Sequence, residues 1–110
     1  METDTLKNEL LPALEQWRAD GKKVAVATVV RVEGTAPRRE GAKMMVSDAG
    51  DLAGSVSGGC VEGAVLEEAL RVLKTGKPAL VQYGITADML TDVGLSCGGI
   101  ISVLVEPLDW

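Results

Sequence analysis

The eleven residues Lys23 to Glu33 (KVAVATVVRVE) constrain this chain more than any other stretch, because so dense a run of β-branched and small apolar side chains suits a pleated strand covered on most of its surface. A strand of that kind needs a sheet around it and something to cover the sheet. The rest of the sequence supplies both. Lys43 to Ser47 and Asp51 to Ser55 read as two strands joined by Asp48-Ala49-Gly50, whose aspartate and glycine provide hairpin turn chemistry. Ala79 to Tyr83 reads as a further strand and Ile100 to Val105 as a final one, stopped by Pro107.

Two segments switch to helical spacing. Leu6, Leu10, Leu14 and Trp17 mark a first helix that Gly21 ends; Pro12 requires that it start near Leu11 or bend there, since proline is tolerated in the first turn and costs about 3 kcal/mol inside. Val61, Val65, Leu66, Ala69, Val72 and Leu73 mark a second, with Gly76 and Pro78 after it. Ala87 to Val93 reads as a short helical stretch. Helices interleave with strands and the middle hairpin demands an antiparallel pair, so the expected fold is α/β: one small domain over 1–110, with a mixed sheet of about five strands and two to three helices.

Composition removes several functions. The chain has no histidine, which excludes a Ser-His-Asp triad, a Cys-His dyad and histidine-bearing zinc sites, and two cysteines cannot build a four-thiolate zinc site. A net charge of −5 and only three aromatic residues argue against nucleic acid as a partner. No apolar stretch has the length of a membrane span, and the charged start Met1-Glu2-Thr3-Asp4 leads into no signal-peptide core. The expected setting is the cytoplasm, without a membrane, where both thiols stay reduced.

The chemistry concentrates in two runs, Ser57-Gly58-Gly59-Cys60 and Ser96-Cys97-Gly98-Gly99. The first opens straight into the second helix, where amides left unpaired by the helix can face an anion and the helix dipole favours a thiolate at Cys60. Its spacing is neither the dinucleotide fingerprint nor a Walker A loop. The bland alternative is a tight turn of small residues in which Ser57 caps the helix, with each cysteine a small buried apolar group. Arg31, Arg38, Arg39 and Lys43, set against Glu33 and Glu40, give a local charge of +2 in an acidic chain. Such a loop either clamps an anion or is a solvated surface. Glu62 and Asp92 have no spacing that separates them from ordinary surface carboxylates.

These motifs carry a resemblance. Val26 to Gly34, Ala36-Pro37-Arg38, Gly41 to Met44, Gly54 to Gly63, Tyr83-Gly84-Ile85 and Gly94 to Gly99 together resemble the N-terminal domain of the XdhC/CoxI family, the xanthine dehydrogenase accessory factors, over about Leu6 to Leu108. The resemblance implies a maturation factor or chaperone that binds the molybdenum cofactor (molybdopterin) as cargo. It also implies support of sulfuration by a cysteine desulfurase and insertion of the cofactor into a molybdenum hydroxylase client such as xanthine dehydrogenase. Full-length members of that family usually add a C-terminal Rossmann-like domain, which is not expected within these 110 residues.

The expected cofactor-binding residues are Ser57, Gly58, Gly59 and Cys60, then Ser96, Cys97, Gly98 and Gly99, then Arg38, Arg39 and Lys43, with no metal site and no catalytic residue assigned, although the thiols of Cys60 and Cys97 are of the type that can ligate a soft metal. Two rival readings stand beside it: a thiol redox or sulfur-transfer protein using Cys60 and Cys97, and a non-catalytic interaction module that pairs with a separate Rossmann-like subunit. A homo-oligomer is expected in either carrier form.

Overall fold

The computed structural model describes residues 10–34, 36, 39–57, 61–85 and 99–108. In chain order these form α1 (Leu11–Ala19), β1 (Val24–Glu33), β2 (Lys43–Ser47), β3 (Leu52–Gly54), α2 (Glu62–Thr75), β4 (Ala79–Ile85) and β5 (Gly99–Pro107). The five strands make one sheet in the order β3-β2-β1-β5-β4. The expected α/β class, single sheet and strand number all hold. The expected mixture of parallel and antiparallel pairs does not, because every neighbouring pair is antiparallel. Strands β1, β3 and β4 do point the same way, but β2 and β5 lie between them and separate them.

The helices cover opposite faces. Val65, Ala69 and Val72 of α2 pack on Ala25, Ala27, Val29, Met44, Val46, Ile101, Val103 and Val105 in the larger core. On the other face Leu10, Leu14 and Trp17 pack on Val24 and Met45. Each fully buried valine or isoleucine contributes about 1.5–3 kcal/mol relative to exposure, so the α2 layer carries most of the apolar stabilisation. Burial from both sides explains why the first half of β1 is apolar at successive positions rather than at alternate ones.

Alternation along β1 breaks at Val30, where the register with β5 slips between Val29 and Arg31. Val29 exchanges hydrogen bonds with the turn instead, donating to the Ala42 carbonyl at 2.9 Å and accepting from the Gly41 amide at 2.8 Å. The bulge leaves Val30 exposed and returns Val32 to the α2 side.

Helix α1 begins at Leu11, so Pro12 sits in the first turn, where a missing N–H breaks no helical bond. Helix α2 ends with the Gly76 amide bonded to the Val72 carbonyl at 2.7 Å. The 87–93 stretch read as helical lies outside the described residues. Among the described residues no helix is long and apolar enough to cross a membrane.

Register fixes a polarity that matters for function. Val24, Ser47, Leu52, Ala79 and Pro107 lie at one end of the sheet, here the lower end. Glu33, Ile85 and Gly99 lie at the upper end, whereas Lys43 and Gly54, where β2 starts and β3 ends, are in register with Thr28 and Ala27 and so level with Leu80 and Ala79.

Candidate functional site

β1 leaves toward β2, β3 toward α2 and β4 toward β5 in the same, upward direction, with the β3 exit lower on the sheet than the other two. Each of these three connections carries one of the motifs singled out by sequence. The chain enters 58–60 from Ser57 and resumes at Val61; it enters 86–98 from Ile85 and resumes at Gly99. Strands β3 and β5, which flank the two glycine-cysteine runs, are three strand spacings apart, roughly 14 Å, and Gly54 is level with Val105, roughly 20 Å along β5 from Gly99.

The start of the first run is built with little freedom. Gly54 ends β3 at φ +81°, and a Cβ there would run into the Lys43 carbonyl oxygen and against Leu10. Only glycine allows the chain to turn off the sheet at that point. The Ser55 amide then donates to the Lys43 carbonyl at 3.0 Å, and Val56 and Ser57 drop into full burial.

Glu62, the first residue of α2, folds back over this turn. Its Oε2 accepts from the Ser55 hydroxyl at 2.7 Å and from the Val56 and Ser57 amides at 3.0 Å each. Its Oε1 accepts from the Ser57 hydroxyl, whose oxygen in turn accepts from the Val61 amide at 2.9 Å. Burial pushes the carboxyl pKa up, but the Ser57 and Ser55 hydroxyls and the Ser57 and Val56 amides outweigh it, and the group titrates at about 2. The carboxylate is therefore charged at any ordinary pH. It also sits where the positive end of the helix dipole favours an anion.

Spacing alone does not separate Glu62 from an ordinary surface carboxylate. An acid in the first turn of a helix, with two serines five and seven positions before it, was the available signal.

The remaining expected site residues divide. Gly58, Gly59, Cys60, Ser96, Cys97, Gly98 and Arg38 lie outside the described residues. Ser57 is buried just beyond the end of β3, with its hydroxyl engaged by Glu62 and Val61. Gly99 is the first residue of β5, paired with Ile85 at the upper end. Arg39 is exposed on the β1–β2 connection, with Nε 3.9 Å from Glu40, whose other oxygen accepts from the Val32 amide at 3.1 Å. Lys43 is set apart: its amine lies 3.3 Å from the Thr28 hydroxyl on the α1 face, opposite the layer that holds Ser57 and α2. Ser57, Gly99 and Arg39 thus belong to connections that leave the sheet in one direction, and the Lys43 amine lies on the other face.

A family model for the XdhC and CoxI family matches residues 17–84. This chain belongs to that family. Among XdhC/CoxI relatives, it is 39% identical over 88 residues to the molybdenum cofactor insertion chaperone PaoD of Escherichia coli (strain K12), covering 80% of this chain and 27% of PaoD. It is 35% identical over 95 residues to a probable xanthine dehydrogenase subunit of Bacillus subtilis (strain 168), covering 84% of this chain and 29% of that protein.

The fold matches the crystal structure of a xanthine dehydrogenase from Bacillus halodurans. The TM-score is 0.73 at 34% identity, over 89% of this chain and 30% of that one. The chain therefore spans less than a third of the length of these XdhC/CoxI relatives. The matched region includes the β1–β2 connection, the Glu62-held turn and all of α2.

Proposed function

We propose that this chain holds molybdenum cofactor as cargo at the upper end of its sheet and helps to insert it, once sulfurated, into a molybdenum hydroxylase client such as xanthine dehydrogenase. One observation carries this reading: the strands that lead into both glycine-cysteine runs leave the sheet in the same direction. The similarity to a protein named as a molybdenum cofactor insertion chaperone supports the choice of cargo.

In this reading the residues have separate tasks. Gly58, Gly59, Ser96, Gly98 and Gly99 give close backbone approach, and Cys60 and Cys97 offer soft thiolate ligands. Arg38 and Arg39 face the phosphate, with Lys43 contributing charge from the opposite face. Ser57 and Glu62 are positioning residues. Because the Glu62 carboxylate occupies the Val56 and Ser57 amides, the anionic parts of the cargo fall to the arginines and to the amides that follow Ser57. A cysteine desulfurase in the cytoplasm is the expected source of sulfur. No turnover is assigned to this chain.

Purified protein mixed anaerobically with molybdenum cofactor and passed through a desalting column tests the reading. Wild type retains cofactor, and the Cys60→Ala, Cys97→Ala double variant does not. Equal retention by the two removes the central support.

A further inference from the structure

Strand β4 is an edge: among the described residues its sheet neighbour is β5 alone. Natural edge strands in water are blunted by lysine, proline, a bulge or a covering element. Ala79 to Ile85 contains no charged residue and no proline, in a chain of which 25% is charged. It presents Leu80 at 66% exposure, beside Ile100 at 42% on the same face beyond Gly84.

We propose that β4 pairs with β4 of a second copy of this chain, antiparallel about a twofold axis at Gln82, joining two five-stranded sheets into one. The strand is self-complementary about that residue. Leu80 falls opposite the second copy's Gly84, a large side chain over a position with none. Val81 falls opposite the second copy's Tyr83, a β-branched and aromatic pair on the α2 face. Gln82 meets its own equivalent, amide to amide. Backbone pairing over this length adds about six to eight hydrogen bonds.

Charge favours a second copy at this edge over other surfaces. Two chains of net charge −5 repel each other broadly, but β4 is neutral. Its α2 flank carries Glu68 and Arg71, paired at 2.6 Å and close enough to Tyr83 to bear on its hydroxyl. A twofold axis therefore offers each Arg71 the opposite copy's Glu68. The same symmetry points the two upper ends in opposite directions, so both cargo ends remain accessible.

Sedimentation and light scattering of the full chain at tens of micromolar test the pairing. Wild type is expected to be a dimer. Gln82→Lys and Gln82→Glu each place like charges across the axis, and each is expected to weaken dimerisation at least about tenfold with an unchanged circular dichroism spectrum. An equimolar mixture of the two variants is expected to restore the dimer. Leu80→Lys, at an exposed position away from the axis, is expected to weaken it as well. A monomeric wild type, a dimer indifferent to all three substitutions, or a mixture that stays monomeric overturns the proposal.

Discussion

Two turns at opposite ends of β3 use a carboxylate in the same way and reach different results. At the lower end, Asp51 accepts from the Ser47 hydroxyl at 2.7 Å, while the Ser47 oxygen accepts from the Ala49 and Asp51 amides at 3.1 Å each. The Lys22 amine closes the arrangement at 2.8 Å, and its hydrogen bond, followed by that of Ser47, holds the Asp51 carboxyl below its usual range. Apart from Lys22, everything in that turn lies within five residues of sequence. At the upper end, Glu62 reaches back from α2 to Ser55, Val56 and Ser57, and through Ser57 to Val61. It thus fixes both flanks of residues 58–60. The lower turn closes a hairpin; the upper one fixes the entry to a stretch that has ligand chemistry.

The largest expected effect lies at the root of the upper turn. Gly54→Ala should lower unfolding free energy by about 3 kcal/mol or more in urea titration, since strain at positive φ adds to a collision with backbone. Gly50→Ala sharpens the contrast: at φ +90° with nothing within 4 Å of a new Cβ, it should cost only about 1–2 kcal/mol.

Glu62→Gln comes next, at about 2 kcal/mol near neutral pH, a figure reduced for solvent screening of a partly exposed group. The folded pKa of about 2 lies below the ordinary 4.5, so this stabilisation is full above about pH 4.5 and fades as pH falls toward 2. Denaturant midpoints of wild type and variant measured across that range should converge at the acid end; a constant gap would contradict the role given to the charge.

Ser57→Ala should cost about 1–2 kcal/mol, because the Val61 amide and one Glu62 oxygen lose their partner. Lys22→Gln should have the smallest effect, and added salt should reduce it further, as expected of a partly exposed pair.

Much of the fold was legible in the sequence. The β-branched run of β1, the Asp-Ala-Gly turn and the Val65, Ala69, Val72 stripe are local patterns, and local patterns set where elements begin and end. Strand order was not legible. That β5 inserts between β1 and β4 depends on packing between residues some seventy positions apart, which no window of sequence encodes. The candidate site divides the same way. The glycine-cysteine runs announce themselves by composition, whereas Glu62 becomes distinctive only when β3 and α2 bring Ser55 and Ser57 within reach of its oxygens. Lys43 shows the converse: proximity in sequence to Arg39 suggests a shared cluster, while strand alternation turns its amine to the other face.

The central claim is that the two glycine-cysteine runs serve one site. Cofactor affinity measured anaerobically for wild type, Cys60→Ala, Cys97→Ala and the double variant tests it most directly. Two thiols acting on one cargo predict strong coupling: each single variant loses most of the affinity, and the double loses little more. Losses that simply add, or a single variant that binds as wild type does, would contradict it.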